Sequence, residues 1–316
     1  WFSELGNKDV AIAGGKGASL AEMYNNKFPV PPGFIITAEA YRYLIEKSGI
    51  RDKIKNILDN LDIEDTDALN EASKKIKKLI ENADIPKDLE DPILEAYEIL
   101  DVNKHNITKA GAGAIDILKT GHEPPFVAVR SSATTEDLAE ASFAGQQETF
   151  LNVKGNKELL KKIKGCFASL FTARAIYYRQ KKGFAHEQSY LAVVIQRMVN
   201  SDKSGVIFSK NPVSKKDSIV IEAVWGLGEG IVSGQIKPDN YVVDSDLEHF
   251  KILDMKVPIK KIAIVRDSSG RNIIVKLTGE KGERQVLSSY EIKRLAQYAK
   301  KLEEHYRKPQ DIEFAI

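Results

Sequence analysis

The sequence predicts a mixed α/β (α+β) fold of two subdomains, and three observations lead to this prediction. The chain has 316 residues, which exceeds one typical hydrophobic core. Its 42% hydrophobic and 29% charged residues are typical of a globular protein. Short apolar runs, which indicate buried strands, alternate with longer stretches that have helical periodicity.

The first part of the chain predicts a compact α/β start followed by helices. A short apolar run at Val10–Ala13 indicates a strand, and a glycine turn then leads into a helix from Gly17 to about Asn25. A Pro-Pro-Gly turn follows at Pro31–Gly33. Residues 51–101 are charged and carry a helical apolar stripe, which predicts a helical cap on the surface.

Strands dominate the rest of the chain. Glycines and a proline pair favour a loop over residues 102–125. Three apolar runs predict buried strands, and a long helix is expected at about 157–182. The later segments predict a hairpin over 262–277 and a helix that begins at the capping box Ser288-x-x-Glu291. They also predict a terminal strand over 311–316 with one solvent-exposed face. The three buried strands are expected at 126–129, 190–199 and 219–225.

Charge and cysteine content exclude several classes of function. The net charge is +2, and no basic arm or stripe predicts a nucleic-acid partner. The single cysteine, Cys166, cannot form an internal disulfide, and no apolar run is long enough to cross a bilayer. A cytoplasmic protein is therefore expected. The chain begins at Trp1, which suggests a part of something longer.

Lys16 is the first candidate for phosphate binding. It follows Gly14 and Gly15 where a turn is expected to enter a helix, and backbone N–H groups at a helix start favour anions. The run lacks the Ser or Thr after the lysine that a P-loop requires, and Gly226, Gly228 and Gly230 lack the spacing of a dinucleotide fingerprint. Alternatively, Lys16 only solvates a turn.

Arg130 is the second candidate, because an apolar strand is expected to deliver it with two serines to the strand end. Its planar guanidinium can donate two parallel hydrogen bonds to phosphate oxygens, although it could instead pair with a neighbouring acid. The segment Ser142–Thr149 follows, and Gly145 would let backbone amides approach a ligand closely. This segment has the character of a lid over phosphates.

Asp311 and Glu313 are candidate magnesium ligands. Their spacing places both carboxylates on one face of the terminal strand, and Mg²⁺ takes one or two protein carboxylates together with phosphate oxygens. Alternating acids on a strand are also typical of a solvated edge, so the combination with Lys16 and Arg130 carries the prediction.

Six motifs in chain order resemble the ATP-grasp domain of phosphoenolpyruvate synthase, also called pyruvate, water dikinase. The resemblance covers nearly the whole chain, and pyruvate phosphate dikinase and rifamycin phosphotransferase share the domain. The motifs are Gly14-Gly-Lys-Gly-Ala-Ser-Leu20, Pro31-Pro-Gly-Phe34, Val127-Ala-Val-Arg-Ser-Ser-Ala133, Ser142-Phe-Ala-Gly-Gln-Gln-Glu-Thr-Phe-Leu-Asn-Val153, Trp225-Gly-Leu-Gly-Glu-Gly230 and Pro309-Gln-Asp-Ile-Glu313.

The resemblance implies an ATP-grasp fold with the nucleotide cleft between its subdomains. The N-terminal subdomain is expected at 1–189, with the helical cap at about 51–101, and the C-terminal subdomain at 190–316, truncated before its last strand. The implied site residues are phosphate-binding Lys16 and Arg130, loop residues Gly145, Gln146 and Thr149, adenine-hinge residues Gln196 and Met198, cleft residue Glu222, and magnesium ligands Glu313 and Asp311.

The resemblance also implies the reaction and its partners. In such enzymes Mg-ATP gives a pyrophosphoryl group to a histidine on a swivelling domain with release of AMP; phosphate is then lost, and the remaining phosphoryl group passes to pyruvate on a barrel domain. The five histidines of this chain lack the Thr-x-His-Ala-like setting of that acceptor, so the chain is expected to be inactive for the overall reaction. Two alternatives stay open, the ATP-binding half of a rifamycin-type phosphotransferase and a stand-alone nucleotide-binding module.

Overall fold

The computed structural model describes residues 1–100, 123–134, 148–214, 217–246 and 249–316, which form two compact units, Trp1–Met198 and Val199–Ile316. The structure divides the chain after Met198, later than the predicted boundary at 189 and 190. The physical reason is that the strand after this boundary pairs with two strands of the first unit. Among the described residues, no helix is long and apolar enough to cross a membrane.

The first unit contains a four-stranded antiparallel sheet in the order β1-β4-β2-β3. Its strands are β1 Gly33–Ile36, β2 Val127–Ala133, β3 Thr149–Val153 and β4 Leu191–Arg197. Its described helices are α1 Val10–Asn25, α2 Ala38–Lys47, α3 Arg51–Asp59, α4 Thr66–Glu81, α5 Lys87–Glu98, α6 Asn156–Ser169 and α7 Ala173–Lys181, with 3-10 turns at Phe2–Glu4, Asn7–Asp9 and His186–Gln188.

The two faces of this sheet pack against different helices. Val127, Val129 and Ile195 point into a large core that also contains residues of α2 to α6. Ala192 and Val194 point to the opposite face and pack against α1. Because side chains alternate along a strand, this assignment fixes the face on which every other residue of β2 and β4 lies.

The second unit contains a five-stranded antiparallel sheet in the order β11-β5-β6-β7-β8, together with a separate hairpin of β9 and β10. One sheet face packs on α10 through Ile219, Ile221 and Ile292. The strands are β5 Lys203–Phe208, β6 Ser218–Trp225, β7 Asp239–Asp244, β8 Ile252–Lys256, β9 Ile262–Arg266, β10 Asn272–Lys276 and β11 Asp311–Ala315, and the helices are α8 Glu229–Val232, α9 Glu280–Glu283 and α10 Ser289–Tyr306.

Several predicted elements are confirmed. The helices predicted within 51–101 are α3 to α5, and the hairpin forms at 262–276. Ser288 caps α10 by accepting a hydrogen bond from the Glu291 N–H, as the capping box predicts. β11 alternates exposed and half-buried residues. Residues 101–122, where much of the loop was predicted, lie outside the described residues.

Two predictions of local structure are wrong. Val10–Ala13 forms the first turn of α1 rather than a strand, because a run of four apolar residues does not distinguish the two and its alanines favour a helix. The helix predicted at 157–182 is two helices, α6 and α7. Thr172 starts the second one by accepting a hydrogen bond from the Ala175 N–H at 3.2 Å.

Candidate functional site

A kink in α1 positions Lys16. Gly14 has φ 70° and ψ 167°, a conformation that ends the first helical segment and that side chains other than glycine rarely adopt. A new helical segment begins directly afterwards, so Lys16 lies in its first turn. Its Nζ is 3.4 Å from the Ser131 carbonyl oxygen, which it contacts as a donor. The predicted setting of Lys16 at a helix start is therefore present, although a helical segment rather than a strand precedes it.

Ser132 of β2 holds this helical start in place. Its Oγ accepts a buried hydrogen bond from the Gly17 N–H at 3.0 Å, which satisfies one of the unpaired donors at a helix start. The backbone of Gly14 lies so close to Ser132 that a Cβ at residue 14 would be 2.3 Å from the Ser132 carbonyl oxygen. The glycine and the serine therefore fix the distance between α1 and β2, and with it the position of Lys16.

Arg130 and Lys16 belong to the same side of the first sheet. Arg130 pairs with Val194 and lies two residues before Ser132, so its side chain projects from the same face of the sheet, the face that packs against α1. Arg130 also pairs with Thr149, which places that residue on this face too. Sequence reasoning placed Arg130 at a strand end, and this is wrong because β2 continues to Ala133 in an antiparallel sheet.

Gln196 lies on the same face, and Met198 follows the end of β4. The Gln196 side chain is buried, and its Nε2 donates to the Pro31 carbonyl oxygen at 3.3 Å. The Met198 N–H donates to the Phe126 carbonyl oxygen at 2.8 Å. The structure thus gives Gln196 a role in holding the proline turn, and its contact with adenine stays a prediction. Gly145 and Gln146 lie outside the described residues.

The carboxylates of the second unit share one face of its sheet. Glu313 pairs with Val206, Val206 pairs with Glu222, and Glu222 pairs with Asn240, so these four side chains form a row across the sheet. Asp311 lies two residues from Glu313 on the same face. This face is opposite to the one that packs on α10.

Asp311 and Glu313 are close enough to influence each other. Partial loss of solvation and the charge of Glu313 raise the pKa of Asp311 above its ordinary value. Two adjacent carboxylates suit Mg²⁺, which takes one or two from a protein and completes its shell with phosphate oxygens and water. Over the described ranges no group of three or more Asp, Glu, His or Cys residues is arranged as a metal cluster. The two carboxylates have the ligand chemistry that Mg²⁺ takes from a protein, and their binding of magnesium stays a prediction.

Glu222 has a neighbour that helps to orient it. The Asn240 Nδ2 donates to Glu222 Oε1 at 3.3 Å, across the pair of strands β6 and β7. Sequence reasoning had placed Glu222 in a strand and had not identified Asn240. Only the register of β6 and β7, which pairs Glu222 with Asn240, identifies Asn240 as this neighbour.

The glycine motif near residue 226 has a structural role. Gly226 has φ 82°, and a Cβ there would lie 2.1 Å from the Ile264 carbonyl oxygen. The Leu227 N–H donates to that same oxygen at 2.7 Å, and Asn272 donates to Glu229 at 2.7 Å. The motif therefore joins the sheet of the second unit to the hairpin of β9 and β10.

Sequence reasoning also missed a fully buried ion pair in the second unit. Lys260 Nζ contacts Asp239 Oδ1, and both side chains have no exposed surface. The other carboxylate oxygen, Oδ2, accepts hydrogen bonds from the Tyr241 hydroxyl at 2.8 Å and from the Val286 N–H at 2.7 Å. Because the carboxylate is fully hydrogen-bonded, the pair anchors β7 to the segment before α10 rather than binding a ligand.

The fold and the site define a class of protein. The chain is a mixed α/β protein with two larger antiparallel sheets and a separate hairpin. Arg130 of the first sheet and Lys16 of α1 lie on the same side of that sheet, as in a nucleotide-binding domain. Residues 10–316 match the family described as "Pyruvate phosphate dikinase, AMP/ATP-binding domain", and the chain belongs to this family.

Curated relatives agree with the resemblance that the motifs indicate. A probable phosphoenolpyruvate synthase of Methanocaldococcus jannaschii is 50% identical over 316 residues, which are all of this chain and 25% of that protein. A probable phosphoenolpyruvate synthase of Archaeoglobus fulgidus is 46% identical over the whole chain and 39% of its own length. The phosphoenolpyruvate synthase of Pyrococcus furiosus is 40% identical over the whole chain and 41% of its own length. The chain thus spans less than half of these relatives.

Proposed function

We propose that this chain binds Mg-ATP and that both of its units are subdomains of an ATP-grasp fold. Lys16 and Arg130 bind the phosphates, and Asp311 and Glu313 bind the magnesium ion. Thr149, with Gly145 and Gln146, belongs to the segment over the phosphates. Gln196 and Met198 contact the adenine, and Glu222 lies beside the nucleotide. The family membership of the chain supports ATP or AMP as the ligand.

The observation that carries this proposal is the contact of the Lys16 helical start with β2. Lys16 Nζ lies 3.4 Å from the carbonyl oxygen of Ser131, the residue next to Arg130. The Lys16 ammonium therefore lies beside the β2 backbone next to the residue that carries the Arg130 guanidinium. This combination suits a polyphosphate, because the ammonium acts as a point charge while the guanidinium can donate two parallel hydrogen bonds.

The same cations can stabilise phosphoryl transfer. Negative charge spreads over the oxygens of the transferring group in the transition state, and fixed positive charges lower its free energy. Magnesium, when bound, neutralises part of the charge on the phosphate oxygens. Asp311 and Glu313 hold that ion from a strand whose backbone is paired along its length with β5. Lys16 orients the phosphates from a helical start that Ser132 fixes.

The names of the relatives suggest the larger reaction. We propose that the chain is the nucleotide-binding part of a phosphoenolpyruvate synthase. In this proposal the pyrophosphoryl group of ATP passes to a histidine on a swivelling domain, with release of AMP. Loss of phosphate and transfer of the remaining phosphoryl group to pyruvate on a barrel domain then give phosphoenolpyruvate. The relatives are longer than this chain, which leaves room for such domains.

Calorimetric titration with Mg-ATP tests the binding proposal. Lys16→Ala removes a charge-assisted contact worth about 1.5–3 kcal/mol, which corresponds to a loss of affinity of about tenfold to hundredfold. Lys74→Ala is the matched control, because Lys74 is an exposed lysine of α4 in the same unit. Equal affinity for wild type and Lys16→Ala would remove Lys16 from the site.

A further inference from the structure

A cavity in the first unit contains none of the predicted nucleotide residues. It has a volume of about 580 Å³ and lies among α2, α3, α7 and the turn at His186–Gln188. A cavity of this size accommodates a small organic molecule. Its walls are largely apolar or aromatic: Tyr41, Ile45, Ile54, Leu58, Phe171 and Tyr190.

Arg179 lies directly behind the wall of this cavity. Its side chain is 1% exposed, and its guanidinium carbon is 5.4 Å from the centre of the Phe171 ring. Its Nε donates to His186 Nδ1 at 3.0 Å, and its Nη2 donates to the Leu170 carbonyl oxygen at 2.6 Å. Both Phe171 and His186 line the cavity. The arginine is therefore separated from the cavity by side chains that it contacts.

Two buried donors at this position lack an acceptor. Nη1 of Arg179 is buried and has no hydrogen-bond partner in the part of the chain that the structure describes. His186 accepts at Nδ1, so the neutral ring carries its proton at Nε2, and this atom is also buried without a partner among the described residues. An unsatisfied buried donor is costly, and two of them on side chains that contact each other favour a ligand that supplies acceptors.

The charges around the cavity indicate a ligand with a single negative charge. Three basic and three acidic residues at the rim balance each other, and they include the pairs Arg51–Glu46 at 3.7 Å and Lys55–Asp59 at 3.0 Å. No carboxylate within the described ranges pairs with Arg179, so the positive charge of Arg179 is not balanced by a neighbouring acid. Burial lowers the pKa of Arg179 only to about 10, and the group stays charged at neutral pH.

We propose that this cavity binds a small monocarboxylic acid with an apolar or aromatic body. The carboxylate accepts hydrogen bonds from Arg179 Nη1 and His186 Nε2, and the apolar part packs between the aromatic walls. Both donor atoms are buried, so binding requires a movement of Phe171 and His186, the wall side chains that separate Arg179 from the cavity. The site is separate from the proposed Mg-ATP site, and its occupancy does not require nucleotide.

Benzoate is the probe, because it combines a carboxylate with a flat apolar ring. Titration is followed by calorimetry in wild type and in Arg179→Met, with Arg174→Met as the matched control from the exposed face of α7. We expect benzoate to bind wild type and Arg174→Met equally and Arg179→Met at least about tenfold more weakly. Benzamide, which has the same shape without the charge, is expected not to bind. Equal benzoate affinity in Arg179→Met and wild type overturns the proposal.

A measurement on the wild-type chain covers the case in which Arg179→Met does not fold. NMR spectra of the histidine rings are recorded during the benzoate titration, and His186→Gln assigns the resonance. We expect benzoate to shift the His186 signal and to leave that of His249, an exposed residue of the second unit, unchanged. An unchanged His186 signal, or tighter binding of inorganic phosphate than of benzoate, overturns the assignment. Mg-ATP titration in the same samples reports separately on the nucleotide site.

Discussion

Replacing Gly14 with alanine tests the link between α1 and β2 that positions Lys16. The backbone angles of Gly14, φ 70° and ψ 167°, belong to a region that only glycine visits readily, and a side chain there costs about 1–3 kcal/mol. The new Cβ would lie 2.2 Å from Ser132 Oγ and 2.3 Å from the Ser132 carbonyl oxygen. Overpacking of this kind adds about 1–3 kcal/mol, so we expect Gly14→Ala to lower the free energy of unfolding by about 2–6 kcal/mol.

Gly49→Ala is the control for backbone strain alone. Gly49 also has a positive φ of 65°, but a Cβ there would meet nothing within 4 Å. We expect this variant to lose only about 1 kcal/mol. Denaturant unfolding is followed by Trp1 fluorescence in a Trp225→Phe background, because these are the two tryptophans of the chain and Trp1 lies in the first unit. If Gly14→Ala is no more destabilising than Gly49→Ala, the contact of Gly14 with Ser132 does not constrain residue 14 as described.

Two further predictions concern buried charge. Asp239→Asn leaves the Lys260 charge buried without its partner, and we expect it to destabilise the second unit by about 3–5 kcal/mol in denaturant unfolding. The double variant Asp239→Asn/Lys260→Met should recover part of this loss. A loss below about 1 kcal/mol in Asp239→Asn would contradict the stabilising role of the pair. Burial and the charge of Arg179 lower the pKa of His186 from 6.5 to about 4, so protonation of this histidine favours the unfolded state. The free energy of unfolding should therefore fall as the pH drops from about 6.5 to 4. Because His186 is partly exposed, we expect a fall of only about 1–2 kcal/mol. His186→Gln should remove this pH dependence and His249→Gln should retain it; the same dependence in all three proteins would show that His186 is not its source.

The sequence could predict the local features of the first site but not the contacts that assemble it. The lysine after two glycines and the arginine-serine pair are visible as motifs. Their meeting depends on the contact of Lys16 with Ser131, which are 115 residues apart. The strand pairings that place Thr149 and Gln196 on the face of Arg130 are equally non-local. No periodicity in a single sequence encodes such pairings.

The errors in local structure have recognisable causes. The short apolar run Val10–Ala13 does not distinguish a strand from a buried helical turn, and nothing in it predicts the kink at Gly14. The break between α6 and α7 could have been found from Thr172, since a threonine within a helical pattern often caps a new helix. The prediction that Arg130 lies at a strand end follows a rule for parallel sheets, whereas both neighbours of β2 are antiparallel.

In the second unit, alternation alone predicted the exposed face of β11. The spacing of Asp311 and Glu313 was enough to place both carboxylates together, and the raised pKa of Asp311 is consistent with their proximity. By contrast, the row that joins Glu313 to Glu222 and Asn240 depends on the strand order β11-β5-β6-β7. That order brings the end of the chain beside strands about 100 residues earlier, which local pattern does not reveal.

Titration of ATP into the wild-type chain, with and without Mg²⁺, tests whether the four predicted residues form one Mg-ATP site. If Lys16 and Arg130 bind phosphates while Asp311 and Glu313 bind magnesium, calorimetry should detect one saturable site for Mg-ATP. Removal of the ion with a chelator should weaken binding by about tenfold or more, because the two carboxylates then repel the nucleotide. Absence of saturable binding at millimolar Mg-ATP, or an affinity unchanged by the chelator, would contradict the account.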